Sequence, residues 1–469
     1  MLDGAERPGL AEEFAAAQEE RARRIAELGT EAASSGASTT SSEGIPGNTP
    51  IDARPGRGAR PRLARTTSRG EWSGWPVPKQ LPFDRPGPMG VAPEFRELQL
   101  SGEIARVRTF AGSPAWLVTR REDVIGMLSD DRFGRVHPDP AAAPVLSATG
   151  QFYGPQGTDH ERLEAEFRTL RHATANTLSV RRVREMRPRI EALVGRRLDR
   201  MAAEGPPADL HALLAEPLPV EVVCELLGVP YADREDFGRW TADVVYLGEP
   251  ERVGAALTGL NDYVRALMAR KREEPAEDAL TDLVRAQADG LVGEDLAVLW
   301  AVALLFAGHV TTVTRIGTGV RHLLAEPGQR AAMLTGPEAL AETVEELLRI
   351  GQPDLGLVWR WAVTEVDTGR GVIAPGDLVL FANGPACLDP TAYPDPERFD
   401  LSHARTPHTA FGAGPHLCVG AALARMELQV VLDLLFRRFP GLRLAVPDEE
   451  LPWRESQLTG GLRALPVAW

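Results

Sequence analysis

Cysteine is scarce in this chain. Only Cys224, Cys387 and Cys418 occur, too few and too scattered for a disulfide framework, and they fit a reducing compartment. No run of ~18 consecutive apolar residues is present, so no segment is expected to span a membrane. The start, Met1-Leu2-Asp3-Gly4-Ala5-Glu6, lacks a basic stretch followed by an apolar core and does not read as a secretory leader. Positive charge is in deficit as well. The 52 basic residues against 66 acidic ones give a net charge of −14 and a pI near 5.3, which argues against a general nucleic-acid binder. What remains is a chain of 469 residues, 43% hydrophobic, with the balance of a globular protein. A cytoplasmic enzyme is the default expectation.

One cysteine has an unusual setting. The stretch Phe411-Gly412-Ala413-Gly414-Pro415-His416-Leu417-Cys418-Val419-Gly420 opens directly into an apolar, helix-patterned run from Ala421 to Phe439. Glycines let a backbone approach a large flat ligand where a Cβ would clash. The mouth of a helix favours thiolate over thiol. A cysteine thiolate is one of the few axial ligands of haem iron. Most free cysteines are small buried hydrophobes, and Cys224, on an apolar face, reads that way. For Cys418 the fixed spacing of Phe411, the glycines and His416 points to a ligand instead. A structural zinc site would need more ligands than His416 and Cys418 supply. The stretch resembles the haem-binding loop of the cytochrome P450 family, F-x-x-G-x-H-x-C-x-G, with every position matched.

The resemblance runs from about residue 76 to 469 and implies one domain, mainly α with small β-sheets. Before it, residues 1–29 read as a charged helix with a thin apolar face of Leu10, Phe14, Ile25 and Leu28. Residues 30–71 have the Ser/Pro/Gly/Arg-rich composition of a disordered linker. Arg54, Arg57, Arg60, Arg62, Arg65 and Arg69 make it locally basic, which suits either a docking arm for an acidic partner or a solvated spacer. Within the domain, residues 106–110 and 115–118 read as a hairpin. Helices are expected over 121–129, 161–178, 183–202, 210–227, 232–247, 251–272, 294–324 and 341–349, with short strands over 363–379. By the resemblance, 135–157 covers a substrate pocket, 244–260 forms a lid, 353–361 lines the pocket, and the tip at 457–461 reaches it from the far side.

The helix over 294–324 is apolar for most of its length, so it must be buried. Inside it stands Ala307-Gly308-His309-Val310-Thr311-Thr312. A mid-helix glycine costs about 1 kcal/mol relative to alanine. A groove or bulge beside a ligand would require Gly308, although such residues also serve plain packing. The segment resembles the family motif A-G-x-[D/E]-T-T. Thr311 then takes the place of the hydroxyl that steadies oxygen and passes protons to it. The acid position is Val310, which cannot carry a proton. His309 is adjacent but points about 100° away around the helix.

Further site residues follow from the same resemblance. The family's H-x-x-x-R pair on haem propionates corresponds to Phe167 and Arg171, so the arginine is present and the histidine is not. Arg360 and His416 are the other propionate candidates, and Phe411, Gly412, Gly414 and Gly420 shape the loop. Glu346 and Arg349, in Glu346-Leu347-Leu348-Arg349, join Arg398 of Pro396-Glu397-Arg398-Phe399 as the implied structural triad. The implied cofactor is haem b with Cys418 on its iron. The implied function is a haem-thiolate monooxygenase that hydroxylates, epoxidises or oxidatively couples a small organic substrate, in tailoring a secondary metabolite. Electrons would come from a ferredoxin and its ferredoxin reductase, docking near Arg425, Arg437 and Arg438. The chain is expected to be a monomer without nucleic-acid or membrane partners. A peroxide-using peroxygenase and a ligand binder that never turns over are the alternatives, and Val310 favours a non-routine reaction.

Overall fold

The computed structural model describes residues 79–469, save 88, 138, 140–142, 147–159, 235, 238, 241–249, 352–355 and 455–459. The helix expected over 1–29 and the linker over 30–71 lie outside the described residues. So do most of 135–157, much of the 232–247 helix, the first part of the lid, the start of 353–361 and most of the tip at 457–461. Residues Val77–Trp469 form one compact unit.

The helices in chain order are α1 (Pro93–Ser101), α2 (Arg121–Leu128), α3 (His160–Ala173), α4 (Val180–Glu204), α5 (Pro217–Leu227), α6 (Pro250–Glu273), α7 (Ala279–Ala288), α8 (Glu294–Ala325), α9 (Pro327–Met333), α10 (Pro337–Ile350), α11 (Asn383–Cys387) and α12 (Ala421–Arg438). Helix α8 is the axis of the helical layer. Glu294 and Asp295 in its first turn complement the helix dipole. It stops ahead of Pro327, as the residue before a proline disfavours helical geometry. In length and hydropathy it could cross a bilayer, but most of it is buried inside the protein. Its N-terminal half packs in one core with α3, α5, α6 and α7, and its C-terminal half in a second with α4, α10 and α12.

Local chemistry moved several expected boundaries. The helix expected to reach residue 178 ends at Ala173, and α4 restarts where the Ser179 hydroxyl accepts the Arg182 N–H. The helix expected over 210–227 is split. A π turn, His211–Ala215, precedes α5, which begins at Pro217 because proline fits a first turn and not an interior. Helices α1, α7, α9 and α11 were not expected. Asp278 caps α7 by accepting the Thr281 N–H, and prolines open α1 and α9.

Eleven strands are present among the described residues. Six form one sheet in the order β1 (Lys79–Gln80), β2 (Ala105–Arg108), β3 (Pro114–Val118), β9 (Leu378–Ala382), β6 (Leu357–Ala362), β4 (Phe133–Gly134). The β2–β3 hairpin is antiparallel as expected, with Arg106 opposite Trp116. Strand β6 runs antiparallel to β9 with Arg360 opposite Val379. Alternation along β6 sends Trp359 and Trp361 into one core and turns Arg360 to the other face. The two small sheets are β7 (Val366–Asp367) with β8 (Val372–Ile373), and β5 (Ala208–Asp209), β11 (Pro466–Ala468) and β10 (Arg443–Leu444).

Candidate functional site

The cysteine loop is shaped by two glycines in the left-handed region, Gly412 (φ 73°) and Gly414 (φ 70°). A Cβ on Gly414 would stand 2.6 Å from the Leu128 carbonyl oxygen and 2.8 Å from the Ser129 Cα, so the end of α2 also demands glycine there. The Cys418 N–H donates to the Phe411 carbonyl at 2.9 Å and closes the loop. Gly420 precedes α12 with an ordinary φ of −87°. Cys418 is free and solvent-accessible, whereas Cys224 and Cys387 are buried. Surrounding protein still raises the Cys418 thiol pKa, partly offset by the Gly420 N–H and by Arg171 and Arg425. The helix mouth pulls toward thiolate, as expected, but burial outweighs it. A coordinated metal ion would remove that proton.

Cations gather beside this loop. Arg171, on α3, donates from Nη2 to the Leu417 carbonyl at 3.0 Å. Arg360 is buried, and its guanidinium bonds the Trp359 carbonyl at 2.8 Å. Burial lowers its pKa to about 10, with repulsion from Arg135 adding to the shift and Glu164 opposing it. His416 Nε2 lies 3.1 Å from the Glu164 carboxylate, one turn before Phe167 on α3. The expected propionate residues Arg171, Arg360 and His416 thus share one neighbourhood. Phe167 is buried and packs its ring 5.8 Å from that of Trp300 on α8. Two residues here, Arg135 and Glu164, were not read from the sequence. Among the described residues no group of three His, Cys, Asp or Glu side chains could hold a metal ion.

Helix α8 carries the other functional stretch. Leu299, Ala303, Ala307 and Thr311 are exposed at every fourth position of an otherwise buried helix, which leaves one narrow open strip. The Thr311 hydroxyl lies on that strip and donates to the Ala307 carbonyl at 2.8 Å. Val310 is buried. His309 faces away, with Nε2 3.3 Å from the Glu216 carbonyl, and burial lowers its pKa to about 4. The local bulge expected as one reason for Gly308 is not there. The helix is regular, and a Cβ on Gly308 would stand 2.9 Å from Val223 Cγ2, so close packing of α5 accounts for the glycine.

The expected triad is two-thirds right. Glu346 and Arg349 are fully buried and pair through two 2.7 Å bonds. Arg349 also donates to the carbonyls of Cys387 (3.1 Å), Pro396 (2.7 Å) and Arg398 (3.2 Å). Only the Arg398 main chain takes part. Its guanidinium is exposed and lies 3.5 Å from Asp400. His403 fills the third place, with Nδ1 3.1 Å from Arg349 and 3.2 Å from Glu346, and Nε2 2.7 Å from the Pro394 carbonyl. That carbonyl can only accept, so Nε2 carries the proton. A second brace adjoins it. Arg425 grips Glu345 through bonds of 2.6 and 2.8 Å, His408 approaches the same carboxylate at 3.4 Å, and the guanidinium covers the Phe411 ring at 4.6 Å. These contacts lock the segment leading to Cys418 onto α10 and α12.

Comparison with known proteins agrees with this architecture. The cytochrome P450 family model matches residues 330–459. The chain is 40% identical over 395 residues to pentalenolactone synthase of Streptomyces exfoliatus, covering 83% of this chain and 99% of that protein. It is 38% identical to the mycinamicin IV hydroxylase/epoxidase of Micromonospora griseorubida, covering 84% and 99%. Among solved structures, the mycinamicin VIII C21 methyl hydroxylase of Micromonospora griseorubida, bound to mycinamicin VIII, superposes with a TM-score of 0.75 at 33% identity, covering 83% and 100%. Relatives of this length and similarity, on a matching fold, place the chain in the cytochrome P450 family.

Proposed function

We propose that Cys418 is the axial thiolate of haem b, and that this chain is a monooxygenase tailoring a secondary metabolite. The single observation that carries the reading is an accessible, unpaired thiol on a closed glycine loop beside buried guanidiniums. The residues fit the cofactor. Arg360 spends one of its five donors on a main-chain carbonyl and makes no other hydrogen bond among the described residues, so its planar fork is free for a carboxylate. Arg171 adds charge and His416 a ring nitrogen in the same neighbourhood.

When bound, thiolate-ligated haem supplies reductive activation of oxygen for transfer to an organic molecule. The chain's own residues do the rest. Ala303 and Ala307 keep the strip on α8 low enough for a flat ligand and a substrate to lie against it. The Thr311 hydroxyl donates its proton to the helix and leaves its lone pairs facing the strip, where they can hold a water. No acid stands at position 310, so protons must reach Thr311 through water or through a hydroxyl or amine of the substrate. The substrate class follows the named relatives, a synthase of pentalenolactone and oxidising enzymes of mycinamicins. Electrons come from a ferredoxin and its reductase to a cytoplasmic monomer.

A reduced, carbon-monoxide difference spectrum of wild type and Cys418→Ser tests the assignment. The wild type should show the thiolate band and the variant should lose it; identical spectra without that band would sink the proposal. Val310 supports a second reading, a peroxygenase. Turnover with hydrogen peroxide alone, at a rate matching the ferredoxin-driven one, would select it.

A further inference from the structure

Position 167 holds phenylalanine where the family resemblance places a side chain on the haem carboxylates, and an arginine from another element lies against it. The guanidinium of Arg135 lies 4.1 Å above the Phe167 ring, within cation–π distance. The ring is a fixed platform. It packs against Trp300, whose indole N–H reaches the Thr174 hydroxyl at 3.3 Å. Strand register delivers Arg135 to this place. In the β4–β6 pair, Phe133 faces Ala362 and Gly134 faces Trp361, so the next step along the ladder sets Arg135 beside Arg360. Arg135 is also near enough to Arg171 and Glu164 to feel both charges.

The charges in this cluster do not balance. Arg135 and Arg360 stand near enough to Glu164 to feel its charge, Arg171 stands near Arg135 and the Cys418 sulfur, and Glu164 is shared with His416. Burial disfavours the charge on all three. Partly buried like charges persist where an anion compensates them. Among the described residues Glu164 and the Cys418 sulfur are the acidic groups set against these three cations, so positive charge is in excess even with the thiolate formed. Haem b carries two carboxylates.

From this geometry we infer that Arg135, stacked on Phe167, is a further haem-carboxylate ligand that takes over the role of the missing side chain at position 167. The inference rests on the haem reading above. Phe167 contributes a ring face that holds the guanidinium in place.

The test is haem transfer from the ferric holoprotein to apomyoglobin, after the carbon-monoxide spectrum has shown thiolate-ligated haem in the wild type. Loss of that band in the wild type would refute the haem reading itself, whatever Arg135 does. Arg135→Gln keeps the side-chain stem over the ring and removes the charge. It should release haem roughly tenfold faster, the effect of one charged hydrogen bond. Its reduction potential should also fall, because a cation that opposed the ferric charge is gone, while Arg135→Lys should hold the potential near that of the wild type. Phe167→His in the Arg135→Gln background should bring the release rate back to within about threefold of wild type. Haem release from Arg135→Gln at the wild-type rate, or no recovery in the double variant, would overturn the inference.

Discussion

His403, not Arg398, is expected to be the third member of the buried Glu346–Arg349 pair, and the two side chains can be told apart by removal. In His403→Ala the Pro394 carbonyl loses its 2.7 Å donor and Arg349 Nη2 loses an acceptor at 3.1 Å. Arg349 Nη2 keeps Glu346 and the Arg398 carbonyl, so one carbonyl is left unsatisfied at about 1–3 kcal/mol; the cavity left by the buried ring adds about 1–2 kcal/mol, and the variant should lose roughly 2–5 kcal/mol. At about 2.1 cal/mol/K per residue over Val77–Trp469, each kcal/mol shifts Tm by roughly 1 °C, so the fall is roughly 2–6 °C. Arg398→Ala removes an exposed guanidinium and keeps the main-chain carbonyl that Arg349 uses. It should stay within about 0.5 kcal/mol of wild type. The assay is thermal unfolding of the holoprotein by far-ultraviolet circular dichroism, paired with the fraction of thiolate-ligated carbon-monoxide complex. His403→Ala should lower both readings, since the brace leads directly into the cysteine loop. If Arg398→Ala costs as much as His403→Ala, the revised triad is wrong.

Acid stability should report on His309 and His211, both held near pKa 4 by burial. An unfolded histidine protonates near pH 6.5, whereas these stay neutral in the fold until about pH 4. Their stabilising contribution is full above pH 6.5 and is lost as pH falls toward 4, by up to about 1.4 kcal/mol per pH unit for each group. Urea midpoints at pH 7, 6 and 5 should therefore drop, and His309→Gln should show a shallower drop than wild type; parallel curves would contradict the sign. Gly414→Ala should dismantle the cysteine loop, as its Cβ meets main-chain atoms of α2 and its φ is left-handed. Loss of the thiolate carbon-monoxide band is expected, and a normal band would show that the loop can shift.

Features carried by consecutive residues were legible in the sequence. The cysteine loop, the long α8 and the Glu346–Arg349 pair each sit within one short window, where periodicity and spacing fix the geometry. What escaped depends on chain segments meeting from far apart. His403 reaches Glu346 across 57 residues, and nothing near Arg398 says that its side chain turns outward. Gly308 reads as a ligand-side glycine until Val223 of α5 is placed against it. Arg135 and Phe167 are joined only by the β4–β6 register, which no local pattern announces. Helix α7 could have been found. Asp278 followed by Ala279-Leu280-Thr281 is an N-cap signal with its donor three residues on.

The brace around Glu345 bears on how an electron donor could dock. Arg425 was an expected contact for an acidic partner, as were Arg437 and Arg438. Glu345 already holds Arg425 with both oxygens, and Asp433 holds Arg437 at 2.7 Å. A partner carboxylate arriving at Arg425 would be competing with a resident one that is tethered beside it and always present. Because the same guanidinium covers the Phe411 ring, any partner that won would also loosen the lid over the cysteine loop. A donor docking at Arg425 would therefore also act on the surroundings of Cys418.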